Sequence, residues 1–300
     1  MMVAQQRIRL RGVLKFDEPL SRHTTWRVGG GADRFYTPAD VADLSEFLTH
    51  YCADNQPILW LGLGSNLLVR DGGIRGTVIN TKGTLDKLIR VAPQQVKIEA
   101  GVPCAKAARY CAKEQLVGAE FLAGIPGTVG GALAMNAGAF GGEIWDFVAA
   151  VETIDRAGII RTRLPSDYQI AYRQVVGAKD EWFVAAYLNL LPGDGAVALL
   201  RIKQLLEQRN ASQPMGYPTC GSVFRNPEGD HAGRLIEASG LKGFCIGGAC
   251  VAEKHANFII NMGTATAADI EKLIQHVALI VQQRCGVTLT PEVHIVGEAW

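Results

Sequence analysis

Two glycine-rich segments are the parts of this sequence best suited to binding an anion. The first glycine loop, residues 62–66, reads Gly62-Leu63-Gly64-Ser65-Asn66 and follows a short apolar run at 58–61. The second glycine loop, residues 124–131, begins Gly124-Ile125-Pro126-Gly127-Thr128 and leads into Asn136-Ala137-Gly138. Glycine lets successive backbone N–H groups turn towards one anion, and Ser65 and Asn66 add side-chain donors. A single loop of this kind is more often a plain turn, but two in an uncharged context favour a large diphosphate ligand.

The usual dinucleotide fingerprint does not explain these loops. In the first loop, Leu67 stands where a third glycine is required. A second match, Gly193-x-Gly195-x-x-Ala198, follows a predicted strand and precedes a predicted helix, but Pro192 interrupts its entry. No second strand with a ribose-binding acid follows it, so we interpret it as a turn. The sequence therefore predicts a nucleotide site outside a Rossmann fold.

The elements that must position the loops form a mixture of strands and helices. Periodicity and capping signals predict helices at 38–54, 103–115, 197–209, 232–239 and 267–285. Short apolar runs predict strands at 58–61, 77–80, 96–100, 182–191, 222–225, 258–261 and 292–296, with a hairpin at 151–164. The pattern is α+β, and the polar, proline-containing stretch 210–218 predicts a domain boundary.

Composition narrows the possible functions. The chain has 300 residues, which suggests about two domains, and a net charge of +1 with no basic stripe, so no nucleic-acid partner is expected. Seven irregularly spaced cysteines form no CxxC pair and no Cys/His cluster, which predicts no metal site and is typical of a reduced cytoplasm. Residues 1–15 lack the apolar stretch of a signal peptide. The uncharged segment 121–142 contains seven glycines, which indicates a loop against a ligand rather than a membrane span.

Motifs along most of the chain resemble those of the UDP-N-acetylmuramate dehydrogenase family, also called UDP-N-acetylenolpyruvoylglucosamine reductases. The resemblance runs in order from about residue 20 to 297. Besides the two glycine loops, it rests on Thr24-Thr25-Trp26-Arg27-Val28-Gly29-Gly30, Met135-Asn136-Ala137-Gly138-Ala139, Cys220-Gly221-Ser222-Val223-Phe224-Arg225-Asn226-Pro227, Lys254-His255-Ala256-Asn257-Phe258 and Pro291-Glu292-Val293.

The resemblance implies a two-lobed FAD-binding domain of the vanillyl-alcohol-oxidase (PCMH) type and a C-terminal α+β substrate-binding domain. We expect the lobes at 1–80 and 81–212 and the C-terminal domain at 213–300. It also implies non-covalent FAD, NADPH as hydride donor, and reduction of UDP-N-acetylglucosamine enolpyruvate to UDP-N-acetylmuramate in peptidoglycan precursor synthesis. We therefore expect a cytoplasmic enzyme that takes part in cell-wall biogenesis, cell shape and cell division. The enzyme is expected to be a monomer or weak oligomer without a membrane partner. The short segment between Arg173 and Trp182 resembles the type that lacks a substrate-covering tyrosine loop.

The same resemblance assigns three catalytic residues. Ser222 is the expected proton donor to the α-carbon of the substrate, and Arg173 and Glu292 are expected to stabilise the enolate. An ionised Glu292 would repel that enolate, so it acts either protonated or by orienting Arg173 or a water molecule. These alternatives stay open at the level of sequence.

Further residues are expected to bind the cofactor and the substrate. The cofactor-binding set is Arg27, Gly62, Gly64, Ser65, Asn66, Leu67, Gly124, Ile125, Pro126, Gly127, Thr128, Gly130, Gly131, Asn136, Ala137 and Gly138. The substrate-binding set is Tyr172, Arg225, Asn226, Lys254 and Asn257. Arg225 stands where many relatives have lysine and His294 where arginine is common, and the roles of His255 and His294 are open.

Two other functions compete with this interpretation. One is an oxidase of the same FAD fold that acts on an alcohol or sugar and uses oxygen. The flavin loops contain no His or Cys, which argues against the covalent flavin that such oxidases often carry. The other is a flavin-binding module without catalysis, against which the presence of Arg173, Ser222 and Glu292 argues.

Overall fold

The computed structural model describes residues 10–52 and 56–299. Its N-terminal part is a four-stranded sheet covered by one helix. The elements are β1 (Val13–Pro19), β2 (Gly31–Thr37), α1 (Val41–Tyr51), β3 (Ile58–Leu61), β4 (Leu67–Val69) and β5 (Ile74–Asn80). The strand order in the sheet is β1-β2-β5-β3. Phe47 of α1 stacks on Tyr36 of β2 with ring centroids 3.8 Å apart, and both are fully buried. The first glycine loop is the connection from β3 to β4.

The middle of the chain forms a five-stranded antiparallel sheet and its covering helices. The elements are β6 (Leu88–Ala92), β7 (Gln95–Glu99), α2 (Cys104–Lys113), β8 (Leu116–Val117), α3 (Val129–Met135), β9 (Gly138–Ala139), β10 (Gly142–Glu143), β11 (Val148–Asp155), β12 (Ile160–Arg163), β13 (Gln169–Ala171), β14 (Gln174–Val176), β15 (Glu181–Asn189), β16 (Leu191–Pro192) and α4 (Gly195–Ser212). The strand order in the five-stranded sheet is β12-β11-β15-β7-β6. Apolar residues of α2, α3 and α4 share one core with β7 and β15. The second glycine loop enters this core and runs into α3, whose N-cap is Thr128.

The C-terminal part packs a small sheet and a helix against a long helix. Its elements are α5 (Ala232–Ala238), β17 (Cys245–Ile246), β18 (Ala249–Val251), β19 (Ile259–Asn261), α6 (Ala267–Cys285) and β20 (His294–Val296). Thr266 and Asp269 form a capping box at the start of α6, and Gly286 closes the helix at a φ of 72°. The predicted bounds of this helix are confirmed.

The C-terminal part is joined to the N-terminal sheet close to the first glycine loop. Strand β20 pairs in parallel with β4, residue for residue from His294 and Leu67 onwards. The Arg70 guanidinium contacts both carboxylate oxygens of Glu271 at 2.8 and 2.9 Å. The Asp71 carboxylate accepts the first two N–H groups of α6 at 3.0 and 2.9 Å. The end of the chain and the loop connection β3–β4 therefore form one packed unit.

The β17–β18 hairpin contains a disulfide, and the described residues contain neither a helix that could span a membrane nor a metal-binding cluster. Cys245 and Cys250 are bonded across the β17–β18 hairpin, a pairing that the cysteine spacing did not predict. Within residues 10–52 and 56–299, no helix has the length and apolar character needed to cross a bilayer. The same residues contain no group of three or more His, Cys, Asp or Glu side chains arranged to hold a metal ion.

Several predicted elements differ in the structure. The segment predicted as a strand at 222–225 makes only isolated bridges, from Ser222 to Phe258 and from Phe224 to Pro291. The predicted helix at 38–54 is shorter, at Val41–Tyr51, and its predicted last residues lie outside the described part of the chain. Gly195, interpreted as part of a turn, is the first residue of α4, because Asp194 caps that helix.

Candidate active site

The two glycine loops lie against each other. A Cβ atom on Gly62 would collide with the Thr128 hydroxyl, and a Cβ atom on Gly127 would lie 3.4 Å from the Ser65 hydroxyl. Among the described residues, none accepts a hydrogen bond from the backbone N–H of Leu63, Gly64 or Ser65. The loops therefore form one cradle whose backbone donors remain available.

The turn at residues 24–28 supports the first loop from behind. The Thr25 N–H and hydroxyl donate to the Gly64 carbonyl at 3.2 and 3.3 Å. Gly64 has a φ of 63°, and a Cβ atom there would collide with the His23 carbonyl, so glycine is required. Arg27, at a φ of 60°, is exposed at the same turn.

This cradle fits a diphosphate-containing cofactor. Its donors are neutral backbone N–H groups and hydroxyls, and glycine at 62 and 127 leaves room for the backbone to approach a ligand. The loops carry no His or Cys side chain that could bond covalently to a flavin. Residues Gly62, Gly64, Ser65, Gly127 and Thr128 are thus suited to hold FAD non-covalently.

Arg173 and Glu292 form a partly buried ion pair beside the cradle. The Arg173 Nε lies 3.2 Å from Glu292 Oε1, and each side chain is 17% exposed. Arg173 occupies the tight turn between β13 and β14 and also donates to the carbonyls of Asn136 and Gly138, at 3.2 and 2.8 Å. The Tyr172 ring packs over its guanidinium. Two of the three predicted catalytic residues therefore meet, and the third lies nearby.

The segment that contains Ser222 is hydrogen-bonded to the backbone of Glu292 through Val223. The Glu292 N–H donates to the Val223 carbonyl at 2.7 Å, so the segment that contains Ser222 lies alongside Glu292. Gly221 has a φ of 84°, and a Cβ atom there would meet no other atom within 4 Å, so this glycine is required by backbone conformation alone. No described residue forms a hydrogen bond with the Ser222 hydroxyl, which leaves that proton free for a ligand.

The electrostatics of the site depend on burial and on two arginines. Burial raises the pKa of Glu292, while the positive charges of Arg173 and Arg225 act against that rise. Burial also lowers the pKa of His294, and Arg225 lowers it further. The Nε of Arg225 is buried and has no hydrogen-bond partner in the described part of the chain. An anion entering the site would meet two guanidinium groups.

Three predicted substrate-binding residues already have protein partners. The Asn257 amide is bonded on both sides to the Phe224 backbone, at 3.0 and 2.8 Å, and is 3% exposed. Asn226 accepts the N–H of Ala232 at 3.1 Å, and the exposed Lys254 donates to the Asn210 carbonyl at 2.7 Å. Asn257 thus holds the segment after Ser222 in place, and substrate contact by these three residues stays a prediction.

One supporting role was not visible in the sequence. The buried Asn136, predicted to bind the cofactor, donates from its amide to the Glu143 carboxylate at 2.6 Å and to the Ala171 carbonyl at 3.2 Å. The Asn136 side chain thereby fixes the turn that carries Arg173, and the backbone carbonyl of Asn136 accepts a hydrogen bond from the Arg173 guanidinium. Backbone acceptors carry no sequence signature, so only the tertiary structure reveals this role.

Comparison with known proteins agrees with this geometry. The family described as FAD binding domain matches residues 32–163, and the family described as UDP-N-acetylenolpyruvoylglucosamine reductase, C-terminal domain, matches residues 213–296. With the cradle and the two-lobed sheet arrangement, these matches define a flavin-dependent oxidoreductase with a PCMH-type FAD domain and a C-terminal α+β domain.

Individual relatives specify the family. The UDP-N-acetylenolpyruvoylglucosamine reductase of Alkalilimnicola ehrlichii is 60% identical over 299 residues, covering 100% of this chain and 99% of the relative, and that of Legionella pneumophila strain Corby is 55% identical over 290 residues, covering 96% and 94%. The crystal structure of the Thermus caldophilus UDP-N-acetylenolpyruvylglucosamine reductase has a TM-score of 0.78 and 31% identity, covering 95% of this chain and 98% of that one. The chain belongs to the UDP-N-acetylenolpyruvoylglucosamine reductase family.

Proposed function

We propose that this protein reduces UDP-N-acetylglucosamine enolpyruvate to UDP-N-acetylmuramate with NADPH and FAD, a step in the synthesis of peptidoglycan precursors. The family membership supports this reaction. The observation that carries the proposal is the partly buried Arg173–Glu292 pair, in which the Glu292 backbone is bonded both to Asn66 of the cradle and to the Ser222 segment. An alcohol or sugar substrate of an oxidase would have no carboxylate for the Arg173 guanidinium to bind.

Each of the three residues has a role that its contacts support. Bound FAD supplies the hydride that it first receives from NADPH. A guanidinium has five N–H donors; Arg173 uses two of them in hydrogen bonds to backbone carbonyls and directs its Nε at Glu292, so two remain for the substrate carboxylate. The contact of Glu292 with the Arg173 Nε supports the orienting role among the alternatives for this glutamate. Ser222 donates the proton to the α-carbon.

The remaining assignments belong to the same proposal. Residues of the two glycine loops hold FAD, with Arg27, Leu67 and the 136–138 segment at their edges. Tyr172, Arg225 and Asn226 border the space for the UDP-sugar, and the lobe boundaries are those expected from sequence, at 80/81 and 212/213. Because NADPH and nucleotide sugars are cytoplasmic metabolites, we place the protein in the cytoplasm, with roles in cell-wall biogenesis, cell shape and cell division, as a monomer or weak oligomer.

An anaerobic titration tests the reaction. The yellow holoenzyme should bleach with NADPH and regain its colour when the enolpyruvyl UDP-sugar is added without oxygen. Recolouring by oxygen alone would favour an oxidase, and a failure to bleach would exclude both enzymes.

A further inference from the structure

Asn66 is part of the first glycine loop and also contacts the backbone of Glu292. Its side-chain amide donates to the Glu292 carbonyl at 3.1 Å, across a sequence separation of 226 residues. The backbone carbonyl of Asn66 accepts the N–H of His294 at 3.1 Å, and the pairing of β4 with β20 begins at this bond. Asn66 thus bonds to the chain on both sides of Val293, and the loop and the Glu292 segment are held in fixed register.

Glu292 is held by three segments that come from different parts of the fold. Asn66 fixes its carbonyl, Val223 accepts its N–H at 2.7 Å, and Arg173 contacts its carboxylate at 3.2 Å. The Val223 contact sets Glu292 relative to Ser222, and the Arg173 contact sets it relative to the substrate carboxylate. The Asn66 contact sets it relative to the cofactor loop.

An asparagine side chain has two N–H donors, and the Glu292 carbonyl takes one of them. The neighbouring backbone donors of the loop, at Gly64 and Ser65, face no acceptor among the described residues. A diphosphate bound by these groups would reduce the freedom of the loop, and the Asn66 amide would pass that restriction to the Glu292 backbone. A shift of about 1 Å in a positioning group can cost on the order of 10²-fold in rate.

We propose that Asn66 is a positioning residue, which couples occupation of the cradle by FAD to the placement of Glu292 beside Arg173 and the Ser222 segment. This inference rests on the proposed function, and it assigns Asn66 a second role beyond holding the cofactor. FAD binding would then complete the substrate site as well as supply its redox group.

The first test separates the two half-reactions in Asn66→Ala at saturating FAD. Reduction of the flavin by NADPH should change less than about 3-fold, while its reoxidation by the enolpyruvyl UDP-sugar should slow on the order of 10²-fold. Ser65→Ala is the matched control, because it removes a donor from the same loop without touching the Glu292 segment. It should weaken FAD binding, measured by flavin fluorescence, and leave the ratio of the two rates unchanged. Equal losses in both half-reactions of Asn66→Ala would overturn the inference.

A double-mutant cycle and hydrogen exchange distinguish positioning from a general structural effect. In the Glu292→Gln background, Asn66→Ala should slow reoxidation by no more than about 3-fold further, because residues that act through one another are not additive. FAD should also slow amide exchange across residues 289–296 in the wild type and do so less in Asn66→Ala. Additive rate effects, or equal protection in both proteins, would contradict the coupling. If the wild-type flavin is not reoxidised by the UDP-sugar, the proposed function itself fails.

Discussion

The conservative substitution Arg173→Lys tests whether the geometry of the guanidinium, rather than its charge, is required. Arg173 makes three contacts, at 2.8, 3.2 and 3.2 Å, to the Gly138 carbonyl, the Asn136 carbonyl and the Glu292 carboxylate. A lysine ammonium is a compact point charge and cannot span three acceptors arranged around a planar fork. With one contact retained, two are lost at about 1.5 kcal/mol each, because the donor is charged.

Because these contacts aim the guanidinium at the developing enolate, we take their full loss as the expected increase in the barrier, about 3 kcal/mol, or on the order of 10²-fold in the rate of flavin reoxidation by the enolpyruvyl UDP-sugar. Anaerobic stopped-flow absorbance measures this step separately from reduction by NADPH, which should remain within about 3-fold. Arg163→Lys is the control, because Arg163 also binds a carboxylate through two nitrogens, at 3.1 and 2.5 Å to Glu181, but on the outer strand β12. It should leave both half-reactions unchanged. Reoxidation within about 5-fold of wild type in Arg173→Lys would refute the reasoning from geometry.

Three further predictions concern Ser222, Gly62 and Glu292. Ser222→Ala should keep NADPH-driven flavin reduction and slow reoxidation by the UDP-sugar by about 10²- to 10⁴-fold; equal losses in single-turnover measurements of both steps would exclude it as the proton donor. Gly62→Ala should displace Thr128 and weaken FAD binding at least about 10-fold in a fluorescence titration, and unchanged affinity would place the diphosphate elsewhere. Burial raises the pKa of Glu292 above its ordinary value of 4.5, so the folded chain holds this proton more tightly than the unfolded chain does, and the stability this gives is lost as the pH rises through the raised value. Glu292→Gln should lack this loss, and its free energy of urea unfolding relative to wild type should improve from about pH 4 to about pH 7; a constant difference would contradict the raised pKa.

Local signals explain which parts of the fold were predictable. Helix α6 was predicted with its observed bounds, because its capping box, apolar stripe and terminal glycine are all local. In α4 the apolar residues do not all lie on the buried face: Leu200 is 57% exposed, and the buried face is formed by Ala198, Ile202 and Leu205. Periodicity alone does not show which side of a helix meets its neighbours.

Long-range contacts account for what the sequence left out of the site. The segment 222–225 has the composition of a strand, but Phe224 lies opposite Pro291, which lacks the N–H that a longer ladder requires. The sequence motifs named Arg173, Ser222 and Glu292, and the structure brings Arg173 and Glu292 into contact. Their support comes from the Val223 carbonyl and from the Asn66 amide, partners that no local pattern distinguishes.

The parallel pairing of β4 with β20 has a consequence for how the protein is made. Translation produces the first glycine loop early, but the strand that holds its far end consists of residues 294–296, which are synthesised more than 200 residues later. A nascent chain stalled before that point has both loops and lacks the frame that holds Asn66 in place. Loading with FAD should therefore follow the synthesis of residues 294–296, and a premature stop codon just before His294 should yield a protein deficient in cofactor as well as in substrate turnover.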